Sequence, residues 1–247
     1  MIVFQQVTKI YAKELGAQAH TALTNVSFAL DKGKTLGMIG ANGAGKSTAI
    51  KLLMDFIRPD TGSIAILEHP PAQHAIRSRI GYLPEIANFP ANLTVLDMLN
   101  FTGSTCNMAR QNVRTASEKW LRRLGLWEAR TRPLRNYSKG MQQRANFAIA
   151  LLNEPELLIL DEPMSGLDPI GRADILSLIA ELKEQGRTIL FCSHILEDVD
   201  RLVDNVLVLH KGQKIFEGQP HALAEKQGCP AFVEGYLSLV QQVSEND

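Results

Sequence analysis

Apolar positions along the chain repeat with two different periods, and the switches between them divide it into segments. Residues 2–10 and 26–30 alternate loosely between apolar and polar and predict strands, with Asp31-Lys32-Gly33 turning the chain after the second. Residues 35–39 form a short apolar strand that ends on Gly40. Ile50, Leu53, Met54 and Ile57 then fall at the i, i+3, i+4, i+7 spacing of a half-buried helix. Pro59-Asp60-Thr61-Gly62 leads into a strand at 63–67, and another strand at 79–83 precedes Pro84. From about residue 86 to 153 strand signals vanish and helical spacing dominates, with a capping-box pattern at Thr94-Val95-Leu96-Asp97. Alternation returns with a buried strand at 157–160, a helix carrying Ile175, Leu178, Ile179 and Leu182, and a strand at 188–192. A β-ribbon follows at 206–210 and 214–217, around Lys211-Gly212-Gln213. From about Pro230 onwards Val233, Tyr236, Leu237 and Val240 share one face of a short amphipathic tail. Strands alternating with helices predict an α/β fold whose mostly parallel sheet is covered on both faces, interrupted by a helical insertion.

Composition narrows the picture. At 247 residues the chain is long enough for one large α/β domain or two small ones. It is 45% hydrophobic and 21% charged, as expected of a folded chain with a sizeable core. Lys plus Arg and Asp plus Glu each number 26, so the zero net charge gives no global attraction to nucleic acid; only a local basic patch would supply one. The longest apolar run is six residues, 147–152, far short of the roughly 20 that span a bilayer. The chain is therefore expected not to cross a membrane by itself. Residues 1–11 carry no basic start followed by an apolar stretch, so no signal peptide is expected. Cys106, Cys192 and Cys229, spaced 86 and 37 residues apart, fit neither a metal site nor a disulfide framework and read as small apolar residues of a reducing compartment.

Three segments carry chemistry. Gly40-Ala41-Asn42-Gly43-Ala44-Gly45-Lys46-Ser47 fits G-x-x-x-x-G-K-[ST], with a strand before it and an amphipathic helix after it. Glycines there let backbone N–H groups converge on phosphate oxygens, and the helix N-terminus adds the positive end of its dipole. Lys46 would reach the β- and γ-phosphates and the Ser47 hydroxyl would ligate Mg²⁺. Leu157-Leu158-Ile159-Leu160-Asp161-Glu162 delivers two carboxylates at the C-terminal end of an apolar strand, the side of an open parallel sheet where ligands sit. Such a pair alone is often a solvated turn; beside a phosphate loop, Asp161 is placed to hold Mg²⁺ and Glu162 to polarise an attacking water. Tyr137-Ser138-Lys139-Gly140-Met141-Gln142-Gln143-Arg144 opens a helix whose apolar stripe is Met141, Ala145, Ala148, Ile149 and Leu152. Ser138 is a natural N-cap, and its hydroxyl with the following amides forms an anion site.

Placed 13 residues before the carboxylate strand and inside the helical insertion, this third segment resembles the L-S-G-G-Q signature of ATP-binding cassette (ABC) ATPases, followed by Q-Q-R. The resemblance extends over residues 1–225 in the family's order. Ser165-Gly166-Leu167-Asp168 matches the D-loop, His194 the switch histidine that contacts the γ-phosphate, and Tyr11 the aromatic that stacks on adenine. It implies a P-loop NTPase (RecA-like) core with an N-terminal antiparallel β subdomain and a helical subdomain at about 86–153. The cassette domain would occupy residues 1–227 and the helical tail 228–247. It also implies ATP and Mg²⁺ as ligands. Glu162 and His194 would be catalytic, and Ser47, Glu85 and Asp161 would face the metal. Tyr11, Gly40, Asn42, Gly43, Ala44, Gly45, Lys46, Ser47, Thr48, Ser138, Gly140 and Asp168 would surround the nucleotide.

Two departures stand out. The glutamine loop of the family reads here as Leu83-Pro84-Glu85, so an anionic oxygen replaces a neutral one near Mg²⁺. The signature has Tyr137, Lys139 and Met141 for Leu, Gly and Gln but keeps Ser138 and Gly140, the groups that face phosphate; Lys139 adds a cation. Spellings like this resemble the ATPases of two-component, exporter-type systems. The implied protein is a peripheral ATPase at the cytoplasmic face of a membrane. It dimerises head-to-tail around two ATP, or pairs with a similar ATPase, and docks a separate permease subunit near residues 85–100. Two other readings stay open: a cassette that regulates a membrane partner without transport, and a soluble cassette acting on nucleic acid or ribosomes. The second is weakened by neutral charge, by the single cassette and by the mere 91 residues between Lys46 and Ser138, which leave no room for a long coiled coil.

Overall fold

The computed structural model describes residues 1–12 and 19–245. In chain order the elements are β1 (Ile2–Tyr11), β2 (His20–Leu30), β3 (Thr35–Ile39), α1 (Lys46–Leu53), β4 (Thr61–Ile66), β5 (Ile80–Leu83), α2 (Val95–Thr105), α3 (Arg110–Arg123), α4 (Lys139–Leu151), β6 (Leu157–Asp161), α5 (Pro169–Glu184), β7 (Thr188–Cys192), α6 (Leu196–Leu202), β8 (Asn205–His210), β9 (Gln213–Gly218), α7 (Pro220–Gln227) and α8 (Phe232–Glu245). They gather into two compact units, Met1–Gln73 with Thr188–Asp247, and His74–Arg187.

The first unit holds an antiparallel sheet in the order β2-β1-β4. Its inner face is apolar because the strands alternate: Ile2, Phe4, Val7, Val26 and Phe28 are buried, and the Phe4 and Phe28 rings stack with centroids 4.5 Å apart. The same unit carries the parallel ladders of β3 with β7 (Thr35 opposite Ile189) and of β3 with β8 (Leu36 opposite Asn205), closed by antiparallel β9. Every residue of β3 and β7 is buried, the mark of strands covered on both faces.

In the second unit β5 and β6 pair in parallel, Ile80 opposite Leu157. Arg79 grips Glu156 with two hydrogen bonds, Nε to Oε1 at 2.7 Å and Nη2 to Oε2 at 3.0 Å, and fastens the start of that pair. The predicted capping box forms at α2: Asp97 N–H donates to Thr94 Oγ1 at 3.1 Å, and Thr94 N–H donates to Asp97 Oδ2 at 2.8 Å. Helix α4 is buried well beyond the predicted stripe, with Phe147 fully enclosed along with Gln143, Asn146, Ala150 and Leu151.

Several expectations differ from the structure: β2 starts at His20 rather than at residue 26, β4 spans Thr61–Ile66 rather than 63–67, and two further differences have a local cause. Helix α1 ends at Leu53, so Ile57 is not part of it. The chain leaves through a Schellman turn: Phe56 N–H donates to Lys51 O at 2.9 Å and Asp55 N–H to Leu52 O at 3.1 Å, with Asp55 left-handed at φ 55°. In the tail, α8 buries Phe232, Gly235 and Leu239, whereas Leu237 is 58% exposed. Gly235 sets this face, because α8 approaches α7 so closely there that a Cβ would come within 2.9 Å of Ala224 Cα. The last two tail residues, 246 and 247, lie outside the described residues.

Candidate nucleotide site

In the first unit the glycine-rich loop leaves the end of β3 and opens α1, as the motif requires. Gly45 is the N-cap with φ 108°, a conformation closed to side-chain-bearing residues, and a Cβ there would also meet Leu23 Cδ2 at 2.6 Å and Ala22 O at 2.7 Å. Gly40 is buried; a Cβ on it would collide with the Leu209 carbonyl and lie 2.9 Å from Ala44 Cβ. The loop is braced from behind, since Gly212 N–H donates to Ala44 O at 3.1 Å while Thr24 N–H donates to Gly212 O at 2.8 Å. Ala41, Asn42, Gly43 and Ser47 are exposed, so the outer rim of the loop faces solvent.

Lys46 Nζ donates to two carbonyls of its own loop, Gly40 O at 2.5 Å and Ala41 O at 3.3 Å, which holds the ammonium over the loop. Backbone donors, the α1 N-terminus and this cation together fit a polyphosphate. Tyr11 comes to the same helix: its hydroxyl is 3.4 Å from Thr48 Oγ1. His194 lies exposed just past β7, in a turn where Ile195 N–H donates to Ser193 Oγ at 3.1 Å.

The second unit carries the carboxylates. Asp161 ends β6 and is buried; Glu162 follows at φ 48°, left-handed for a residue that has a Cβ. Such a backbone costs about 1–3 kcal/mol and persists only where neighbours enforce it. Glu162 O accepts from Ser165 N–H at 3.0 Å and from Gln143 Nε2 at 3.5 Å, and Pro163 O accepts from Gln143 Nε2 at 2.9 Å. One turn along α4, Asn146 Nδ2 donates to Pro84 O at 3.1 Å and anchors the residue before Glu85, which is exposed. Both amides are buried. Helix α4 thus grips the two loops that bear Glu85 and Glu162, a positioning role that the motif spelling left unread because it depends on which face of α4 is enclosed. Gln143→Ala should lower the melting temperature, since the lost bonds are worth about 1–3 kcal/mol. It should also slow ATP turnover by about 10–100-fold through a displaced Glu162, with little change in nucleotide affinity. Thermal melts and steady-state kinetics check both effects.

Ser138, Lys139, Gly140, Arg144, Leu167 and Asp168 line one cavity of about 380 Å³. Ser138 is the N-cap of α4, its Oγ accepting from Met141 N–H at 3.2 Å, and Asp168 caps α5, its Oδ1 accepting from Gly171 N–H at 2.8 Å. Lys139 lies along Gly166, its Cβ 3.4 Å from where a Gly166 Cβ would stand. Tyr137, which stands where the signature has Leu, is buried, and its hydroxyl donates to Ala129 O at 2.9 Å. Burial pushes that phenol's pKa up, against the opposing charge of Arg132. Within each unit, then, the structure gathers Tyr11 with the phosphate loop, and Ser138 and Gly140 with Asp168. The phosphate loop and the Asp161–Glu162 pair belong to different units. Among the described residues no three His, Cys, Asp or Glu side chains gather as a metal cage. The fitting donors are instead hydroxyl and single carboxylate groups, which suit a divalent ion that arrives with phosphate oxygens.

Comparison with known proteins agrees with this geometry. The ABC transporter family profile matches residues 23–165. An uncharacterized ABC transporter ATP-binding protein of Synechocystis is 40% identical over 93% of this chain. The Nod factor export ATP-binding protein I of Rhizobium johnstonii is 36% identical over 90% of this chain and 72% of its own length. The chain spans 66% of the Synechocystis protein's length and 63% of a Nostoc relative's. Among solved structures, the ATP-binding subunit of an ABC transporter superposes with a TM-score of 0.87 at 28% identity, covering 97% of this chain and 99% of that one. A cassette solved as a post-hydrolysis dimer bound to ADP and Pi gives 0.81 at 25% identity, covering 89% and 98%. With a P-loop NTPase fold and a family match over more than half its length, the chain belongs to the ATP-binding cassettes of ABC transporters.

Proposed function

We propose that this chain binds ATP with Mg²⁺, hydrolyses it, and powers a separate membrane-spanning permease from the cytoplasmic face, in the direction of export. The observation that carries this reading is that the chain presents two phosphate-directed helix N-termini in different units: α1 behind Gly45 and Lys46, and α4 behind Ser138. A triphosphate is enclosed when the phosphate loop of one copy meets Ser138 and Gly140 of another, which makes the working form an ATP-bound head-to-tail dimer.

In that arrangement Gly40, Asn42, Gly43, Ala44, Gly45 and Thr48 cradle the phosphates, and Tyr11 stacks on adenine. Lys46 neutralises the β- and γ-phosphates. Ser47, Asp161 and Glu85 hold Mg²⁺, whose role is to offset phosphate charge. Glu162 takes the proton of the attacking water, His194 donates to the γ-phosphate, and Asp168 closes the site beside the signature helix. Export is supported by the Nod factor export relatives, and a permease partner by a structural neighbour named as the ATP-binding subunit of an ABC transporter.

The test is to purify the tagged full chain from detergent-solubilised membranes and assay phosphate release. Co-purification of a multi-helix membrane protein, with Mg²⁺-dependent ATP hydrolysis, is the expected result. Hydrolysis with no membrane partner, or a partner without hydrolysis, would contradict the reading.

A further inference from the structure

The zero net charge of this chain conceals a strong local imbalance. Between positions 110 and 144 stand ten Lys and Arg against two Glu, so the remainder of the chain carries the balancing negative excess. Helix α3 aligns part of this charge: Arg110, Arg114 and Arg122 share one i, i+4 row with Glu118, all three arginines are exposed, and the row runs for about 18 Å. Past the helix end the row continues into a stack, with Arg122 Cζ 4.5 Å and Arg130 Cζ 4.1 Å from the centroid of the Trp127 ring. Stacking holds both guanidinium groups in place and leaves their remaining N–H donors at the rim. Arg132 and Arg135 extend the face; both are exposed, bonded only to Asn136 O and Asn92 Oδ1. Lys119, Arg122 and Arg123, by contrast, are paired with Glu154, Glu118 and Glu181. Among the described residues, no carboxylate pairs with Arg110, Arg114, Arg130, Arg132 or Arg135.

We infer that this arginine face docks on the anionic phospholipid headgroups of the adjacent membrane leaflet. Protein interfaces place apolar and aromatic residues at their centre. Here no exposed large hydrophobic among the described residues lies within positions 110–144; Leu93, whose carbonyl accepts from Leu134 N–H at 2.8 Å, stands at the edge beside Arg135, and Trp127 is already covered by its two arginines. A row of fixed cations with its one exposed aliphatic neighbour at the edge matches a surface of mobile anionic charge, which needs no register and no central apolar contact. Such docking would orient the helical region toward the bilayer independently of the nucleotide state.

The probe is vesicle co-sedimentation of the full chain without nucleotide, comparing pure phosphatidylcholine with phosphatidylcholine–phosphatidylglycerol mixtures. Binding is expected only to the mixture, and it should be lost at about 0.5 M salt, where the screening length falls to a few ångströms. Arg110→Gln/Arg114→Gln, two exposed changes that suit a helix, should weaken partitioning on the order of 20-fold, each cation near an anionic surface contributing about fivefold. Lys32→Gln/Lys34→Gln makes the same change in net charge on the first unit and should leave binding unchanged. Equal binding to both vesicle types, equal loss in the two double variants, or binding to polyglutamate without binding to vesicles would overturn the inference; the last would assign the face to an acidic protein. Because no hydrolysis is measured, failure here leaves the ATPase reading standing, and the reverse holds as well.

Discussion

Glu162→Gln is expected to cut ATP turnover by about 10²–10⁴-fold while ATP still binds. Glutamine keeps the size and hydrogen-bonding reach of the side chain but cannot take the proton of the attacking water. The structure gives a reason to expect an effect confined to chemistry. Glu162 sits at a left-handed backbone position that Gln143 and Ser165 hold through its carbonyl. The side chain takes no part in those bonds, so the turn survives the substitution. The phosphate loop lies in the other unit and keeps its own bracing at Gly212. Steady-state phosphate release set against equilibrium ATP binding checks the separation; near-normal hydrolysis would remove Glu162 from the general-base role.

Ser138→Glu is expected to abolish both ATP-dependent pairing and hydrolysis while ATP binding to the single chain persists. Ser138 caps α4 and lines the cavity shared with Gly140 and Asp168. A carboxylate at a helix N-terminus is favourable to the helix itself, so α4 should remain folded. The same carboxylate would face the γ-phosphate of the other copy's nucleotide, and like charges at that distance repel. Retained melting temperature with lost pairing is the signature of this mechanism; a collapsed melt would mean that the hydroxyl was needed for folding instead.

Much of this site was legible in the residues because its signals are local. The phosphate loop, the carboxylates closing β6 and the N-cap at Ser138 each announce themselves within eight residues. The short, mostly apolar runs of β3 and β7 even predicted their bounds. What stayed hidden depends on contacts distant in sequence. Asp55 ends α1 where a glycine would have been the readable stop signal. Gln143 and Asn146 look like ordinary polar helix positions until packing buries them against the Pro163 and Pro84 carbonyls. The tail's buried face is chosen by Gly235, a residue that hydrophobic periodicity passes over, and so periodicity points to Leu237 where the structure buries Leu239. The basic face escaped because whole-chain charge sums to zero.

The proposed sharing of each nucleotide by two copies is tested by the sedimentation mass of the Glu162→Gln chain with and without ATP. A monomer is expected without nucleotide and a dimer with saturating ATP and Mg²⁺. In the proposed head-to-tail form the phosphate loop of one copy and the α4 N-terminus of the other would enclose the triphosphate together, so the bound phosphates would supply contact between copies. A dimer in both conditions, or a monomer at saturating ATP, would contradict it.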